Sequence, residues 1–85
     1  MLYNTRPIKG HKVLLYKEYP IYGVAVPASG GGWHCRGLVF EPEEKVTEIQ
    51  RLERADLIFR TKKQAEQHAL NLCRSWIDTL DSVAS

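Results

Sequence analysis

The sequence predicts an α+β fold, an antiparallel meander of three to five strands with one C-terminal amphipathic helix packed on one face. Three observations predict it. Apolar residues recur at helical spacing over Thr61–Asp81, β-branched and aromatic residues cluster in short runs before that, and turn signals separate those runs at short intervals.

The helix is the best-defined element. Ala65, Ala69, Leu72, Cys73, Trp76 and Leu80 fall in one arc of a helical wheel, with Leu70 and Ile77 widening its edge. Thr61-Lys62-Lys63-Gln64 fits a capping box that fixes the start, and the tail beyond Asp81 is where the helix should fray. Asp78 and Asp81 oppose the helix dipole, and an i,i+4 pairing of Arg74 with Asp78 offsets the first of them.

Residues 1–10 read as an extended arm punctuated by Pro7 and Gly10, ahead of a single domain over 11–85. A first strand is expected over His11–Lys17 with Val13 and Leu15 inward. Glu18-Tyr19-Pro20 turns into a second strand, Ile21–Val26. There Gly23 and Ala25 would let the helix backbone approach, leaving Tyr22 and Val24 on the other face. Pro27–Gly32 reads as a mobile hairpin loop; it lacks the lysine and the following helix of a phosphate-binding loop.

Trp33–Glu41 is the third strand. Trp33 and Cys35 share one parity and Leu38 and Phe40 the other, so a bulge near Gly37 is expected to bring all four to the core and turn His34 and Arg36 to solvent. After a charged turn at Pro42–Lys45, residues 45–52 fit a fourth strand better than a helix, because Val46, Thr47 and Ile49 are β-branched. Leu57-Ile58-Phe59 is a last short extended piece that leads into the helix.

Net charge is +2, unevenly spread: residues 1–36 carry five basic side chains against one acidic, and residues 37–85 seven against nine. No apolar run reaches the length of a signal peptide or membrane span, and the expected location is the cytoplasm. Cys35 and Cys73, far apart and without a CxxC partner, read as small buried hydrophobes, which leaves no disulfide framework or metal site and no implied cofactor. His34 adjoins Cys35, but successive strand residues point to opposite faces, which argues against a thiol–imidazole pair and against an enzyme.

The remaining constellation is the sheet face away from the helix. Lys12, Tyr16, Tyr22, His34 and Arg36 would share it, mixing cations with stacking surfaces. Such a face suits a protein partner or a second copy of the chain in a homodimer, and single-stranded nucleic acid is the alternative.

The run Phe59–Glu66, closed by Trp76-Ile77-Asp78, resembles the ending of small bacterial domains that share a phenylalanine, a threonine cap, an alanine-bearing helix and this finish. That resemblance implies a fold rather than an activity. The meander-then-helix order is also similar to one repeat of the Pur-alpha type of single-strand binders, which use paired units; it implies that a single unit would dimerise.

Overall fold

The structure, a computed structural model, describes residues 13–44 and 46–84. The arm expected over residues 1–10 lies outside the described residues, as do His11, Lys12 and Lys45. Four strands, β1 (Leu14–Tyr16), β2 (Tyr19–Pro27), β3 (Trp33–Phe40) and β4 (Glu48–Phe59), form one antiparallel sheet in the order β1-β2-β3-β4, followed by α1 (Lys62–Ala84). This is the α+β meander with a C-terminal helix that the sequence predicts.

Close approach of helix to sheet organises the core. Gly23 and Gly37 are register partners on β2 and β3, and together they leave a shallow trough. A Cβ at Gly23 would collide with the Glu66 carbonyl oxygen, and one at Gly37 would lie 2.6 Å from Cys73 Sγ and 2.8 Å from the Ala69 oxygen. The helix therefore meets the sheet through small side chains. Ala65, Ala69 and Cys73 form a fully buried i,i+4 line, and Ile77 continues it beyond the glycines against Ile21 and Val39.

This line corrects the expected arc. Ile77 is central rather than marginal, whereas Leu72, Trp76 and Leu80 flank the contact and are only half-buried. The trough has no room for their bulk. Lys62 closes the N-terminal end with its Nζ 5.5 Å from the Trp33 ring centre.

The cap is present with one change of partner. The Thr61 hydroxyl accepts from the Gln64 N–H at 3.1 Å, but the Gln64 side chain reaches the Arg60 N–H, one residue before the cap, at 3.2 Å. Thr61→Ala should cost about 1 kcal/mol in a denaturant titration. The helix also runs three residues past Asp81, to Ala84.

Strand facing differs from expectation at both ends of the sheet. Lys17 and Glu18, with φ of 50° and 75°, form a two-residue turn that pairs Tyr16 with Tyr19 and Leu14 with Ile21. That register sends Leu14 and Tyr16 towards the helix and leaves Val13 and Leu15 exposed, the reverse of the inward pair expected. The turn also lies one residue earlier than Glu18-Tyr19-Pro20 suggested.

The bulge expected near Gly37 is absent. β3 runs regularly against β2, so Trp33, Cys35, Gly37 and Val39 face the helix and Leu38 and Phe40 face away. Both parities are apolar because both faces of this strand are buried at that end. The irregularities belong to the β3–β4 ladder, with register shifts between Trp33 and Cys35 and between Val39 and Phe40. Residues 48–59 form one long strand, so a strand rather than a helix follows the turn, but it starts at Glu48, with Val46 and Thr47 in the connection, and it absorbs the separate last piece expected at Leu57–Phe59.

The β2–β3 connection is a hairpin, as expected, closed by the Ala28 N–H to the Gly32 carbonyl at 3.0 Å. The β3–β4 connection is held by Glu41, whose carboxylate accepts from the Glu43 and Glu44 N–H groups at 2.7 and 2.9 Å.

Candidate functional site

The helix covers the face carrying the odd-numbered residues of β2 and β3, so the candidate site is the opposite face. Alternation along β2 places Pro20, Tyr22, Val24 and Val26 there, and their register partners on β3 add Leu38, Arg36 and His34, with Phe40 beyond. From β4, Arg51 lies beside Leu38 and Glu53 beside Arg36. Leu15 joins from β1 opposite Pro20.

This face has two unlike ends. At one, Pro20, Tyr22, Leu38 and Phe40 are buried, and the Tyr22 and Phe40 rings meet edge to face with centres 5.3 Å apart. Burial pushes the Tyr22 phenol above its ordinary value, so it stays protonated at neutral pH. At the other end, Val24, Val26, His34 and Arg36 are only partly covered.

The open end is shaped by the β4 irregularity. While β3 advances from Trp33 to Cys35, β4 advances from Phe59 to Arg54, and the extra residues bow away from the ladder. A cavity of about 190 Å³ results, lined by Val26, His34, Arg36, Glu53 and Ala55 among others. His34 spans the irregularity, its Nδ1–H donating to the Leu57 carbonyl at 3.1 Å. That bond fixes the ring and its tautomer.

Charges on this face are paired with charges of opposite sign. Arg36 pairs with Glu53 directly across the strands, and Arg51 makes a two-pronged pair with Glu48 at 3.0 Å for each bond. Beside the cavity Arg54 grips Asp56 at 2.9 and 2.7 Å and holds that carboxyl below the usual range. These pairs are exposed and add little stability. Their consequence is that each guanidinium on this face, among the described residues, already has a carboxylate.

Of the five residues expected to form a site, the structure brings His34 and Arg36 together at the open end. Tyr22 shares their face but is buried at the other end, and Lys12 lies outside the described residues. Tyr16 is placed differently. The Lys17-Glu18 turn swings it to the helix side, where its hydroxyl donates to Asp78 at 3.0 Å and Lys17 Nζ approaches the same carboxylate at 2.9 Å. Asp78 thus ties β1 to the helix, and Arg74, expected to pair with it, bonds the Asn71 side chain instead.

Bonds from Lys17 and then Tyr16 hold the Asp78 carboxyl below the ordinary carboxylate value, while the bond to Asp78 raises the Tyr16 phenol. A lowered native value means that the contact stabilises fully above the unfolded carboxylate value of about 3.9 and fades as pH falls towards the lowered one. Asp78→Asn should therefore flatten the acid limb of stability against pH, as measured by urea unfolding between neutral and acidic pH.

Both cysteines are buried free thiols on the helix side, and burial pushes Cys35 up and Cys73 to about 12. His34 points away from Cys35, on the other face. Among the described residues no group of three or more His, Cys, Asp or Glu side chains is gathered for a metal, and no helix is long and apolar enough to cross a membrane.

Sequence reasoning missed Glu53, Val26 and the cavity. Glu53 becomes Arg36's partner only through the β3–β4 register, and the bowed segment that opens the cavity carries no glycine or proline to announce it. No protein-family model, no characterised protein and no solved structure matches this chain.

Proposed function

We propose that this chain is a small non-catalytic binding module whose contact surface is the open end of the helix-free sheet face, and that its partner is a protein. The supporting observation is the pairing of Arg36 with Glu53 beside Val24, Val26 and the cavity. A guanidinium with its own carboxylate must give up that partner to hold a phosphate, whereas a patch with both signs around apolar residues suits a protein surface. Single-stranded nucleic acid, which would need cations free to follow a backbone, is the less favoured reading.

The patch is also self-complementary. Under a two-fold axis, Arg36 of one copy can face Glu53 of another while the valines meet, so a second copy of the chain is the first partner to test. Sedimentation over a concentration series, at low and high salt, should show a dimer that persists at high salt and is lost in Val24→Glu. A chain that stays monomeric and binds a mixed single-stranded oligonucleotide with steep salt dependence would overturn this reading in favour of nucleic acid.

A further inference from the structure

A second cleft lies outside the site already described, where the end of β4 passes the first half of α1. Its volume is about 480 Å³, and it is walled by residues 58–60 and by the helix side chains Gln64, Gln67, His68 and Asn71. Part of that wall is apolar. Ile58 is 56% exposed, and the Phe59 and His68 rings lie with their centres 5.1 Å apart. Among the described residues no carboxylate lines the cleft, and Arg60 is its one full charge.

The polar groups of this wall are weighted towards donors. Gln64 Oε1 already accepts from the Arg60 N–H at 3.2 Å, and Asn71 Oδ1 from Arg74 Nη1 at 2.9 Å. Those bonds fix how each amide points, and they leave its NH2 group to be satisfied from outside. Arg36, Arg51 and Arg54 each hold a carboxylate and Arg74 holds Asn71, whereas the Arg60 guanidinium has no partner among the described residues. His68 adds an independent sign. Its Nε2 is buried without a hydrogen bond, the one side-chain nitrogen or oxygen in that state among the described residues. Such an atom costs free energy for as long as nothing pairs it.

We propose that this cleft binds a small organic anion, a carboxylate carried on an apolar body. A guanidinium without a partner fits a carboxylate two-pronged, and the Gln64 and Asn71 amides supply further donors to the same oxygens. Ile58 and the Phe59 ring take the apolar part. A cation would meet Arg60 with no carboxylate to hold it. The volume is that of a small-molecule site. The cleft shares no residue with the helix-free contact patch and does not depend on it.

The experiment is an NMR titration of the full chain with phenylacetate, compared with phenethylammonium, which puts the opposite charge on a like ring, and with acetate, which lacks the ring. Phenylacetate should give saturable shifts at the Ile58 methyls, the Gln64 and Asn71 side-chain amides and the His68 ring, acetate should bind more weakly, and phenethylammonium should leave these signals in place. Arg60→Gln should weaken phenylacetate by about tenfold or more, the loss of a charge-assisted bond. Lys63→Gln removes the same charge from outside the cleft wall and should leave the affinity unchanged. Ile77 shifts that stay native in both variants show that the fold is intact. The absence of saturable shifts with phenylacetate would overturn the proposal, as would equal shifts with phenethylammonium, acetate binding as tightly as phenylacetate, or an Arg60→Gln affinity equal to wild type. Neither result bears on the Val24→Glu sedimentation test, so the two proposals fail separately.

Discussion

Replacing Gly23 with alanine is expected to destabilise the protein by about 3 kcal/mol, at the upper end of the range for overpacking. The new methyl group would meet the Glu66 carbonyl oxygen, with Leu70 Cγ 2.9 Å away. A flexible side chain could yield; a backbone carbonyl held in a helix cannot. The helix must then lift away, loosening the contacts of Ala65, Ala69 and Cys73 at once. Gly30, in the β2–β3 hairpin, provides the control, since a Cβ there meets nothing within 4 Å. Gly30→Ala should be neutral or slightly stabilising by stiffening the unfolded chain. Chemical unfolding of the pair separates the loss of the trough from the generic effect of removing a glycine.

Phe40→Ala should cost about 3–5 kcal/mol, the loss expected when a buried aromatic ring leaves a cavity. The ring is 1% exposed and packs against Tyr22 and Leu38 on the helix-free side. If that side were an ordinary solvated sheet face, the same truncation would approach the cost of a surface change. Leu15→Ala, at a 65% exposed position of the same face, should stay within about 0.5 kcal/mol of wild type. The contrast between two hydrophobes of one face reads out its division into a closed and an open end.

The elements and their order are legible in the sequence because they rest on local signals. The capping run Thr61–Gln64, the helical period of Ala65, Ala69 and Cys73, and the β-branched strands each speak for themselves. Gly23 and Ala25 were readable as a place for close helix approach, since two small residues at strand spacing have few other uses.

Facing is less legible where it depends on a partner. Leu14 and Leu15 are both apolar, so nothing local says which is inward; the Lys17-Glu18 turn decides, and neither residue has the usual preference for positive φ. β3 presents hydrophobes on both parities, which a bulge or a doubly buried strand explains equally well until the second layer is known. The candidate site suffered most from this. Tyr16 left the expected face through the turn, and Arg36 acquired Glu53 through a cross-strand register that sequence alone does not specify.

The long edge strand β4 shows how the open sheet avoids indiscriminate pairing. Its middle carries Arg51, Glu53, Arg54 and Asp56, and the segment between Arg54 and Phe59 bows out of the ladder, two devices that discourage another strand from adding there. Contact through the neighbouring face, rather than along this edge, is consistent with that arrangement.

The most direct test of the two-ended face is the attenuation of side-chain NMR signals by a soluble paramagnetic agent in the unmodified protein. Phe40 and Leu38 should be as protected as Val39 and Ile77, with Val24 and Val26 intermediate and Leu15 strongly broadened. Broadening of Phe40 and Leu38 to the level of Leu15 would contradict the account, because the helix-free face would then be open from end to end.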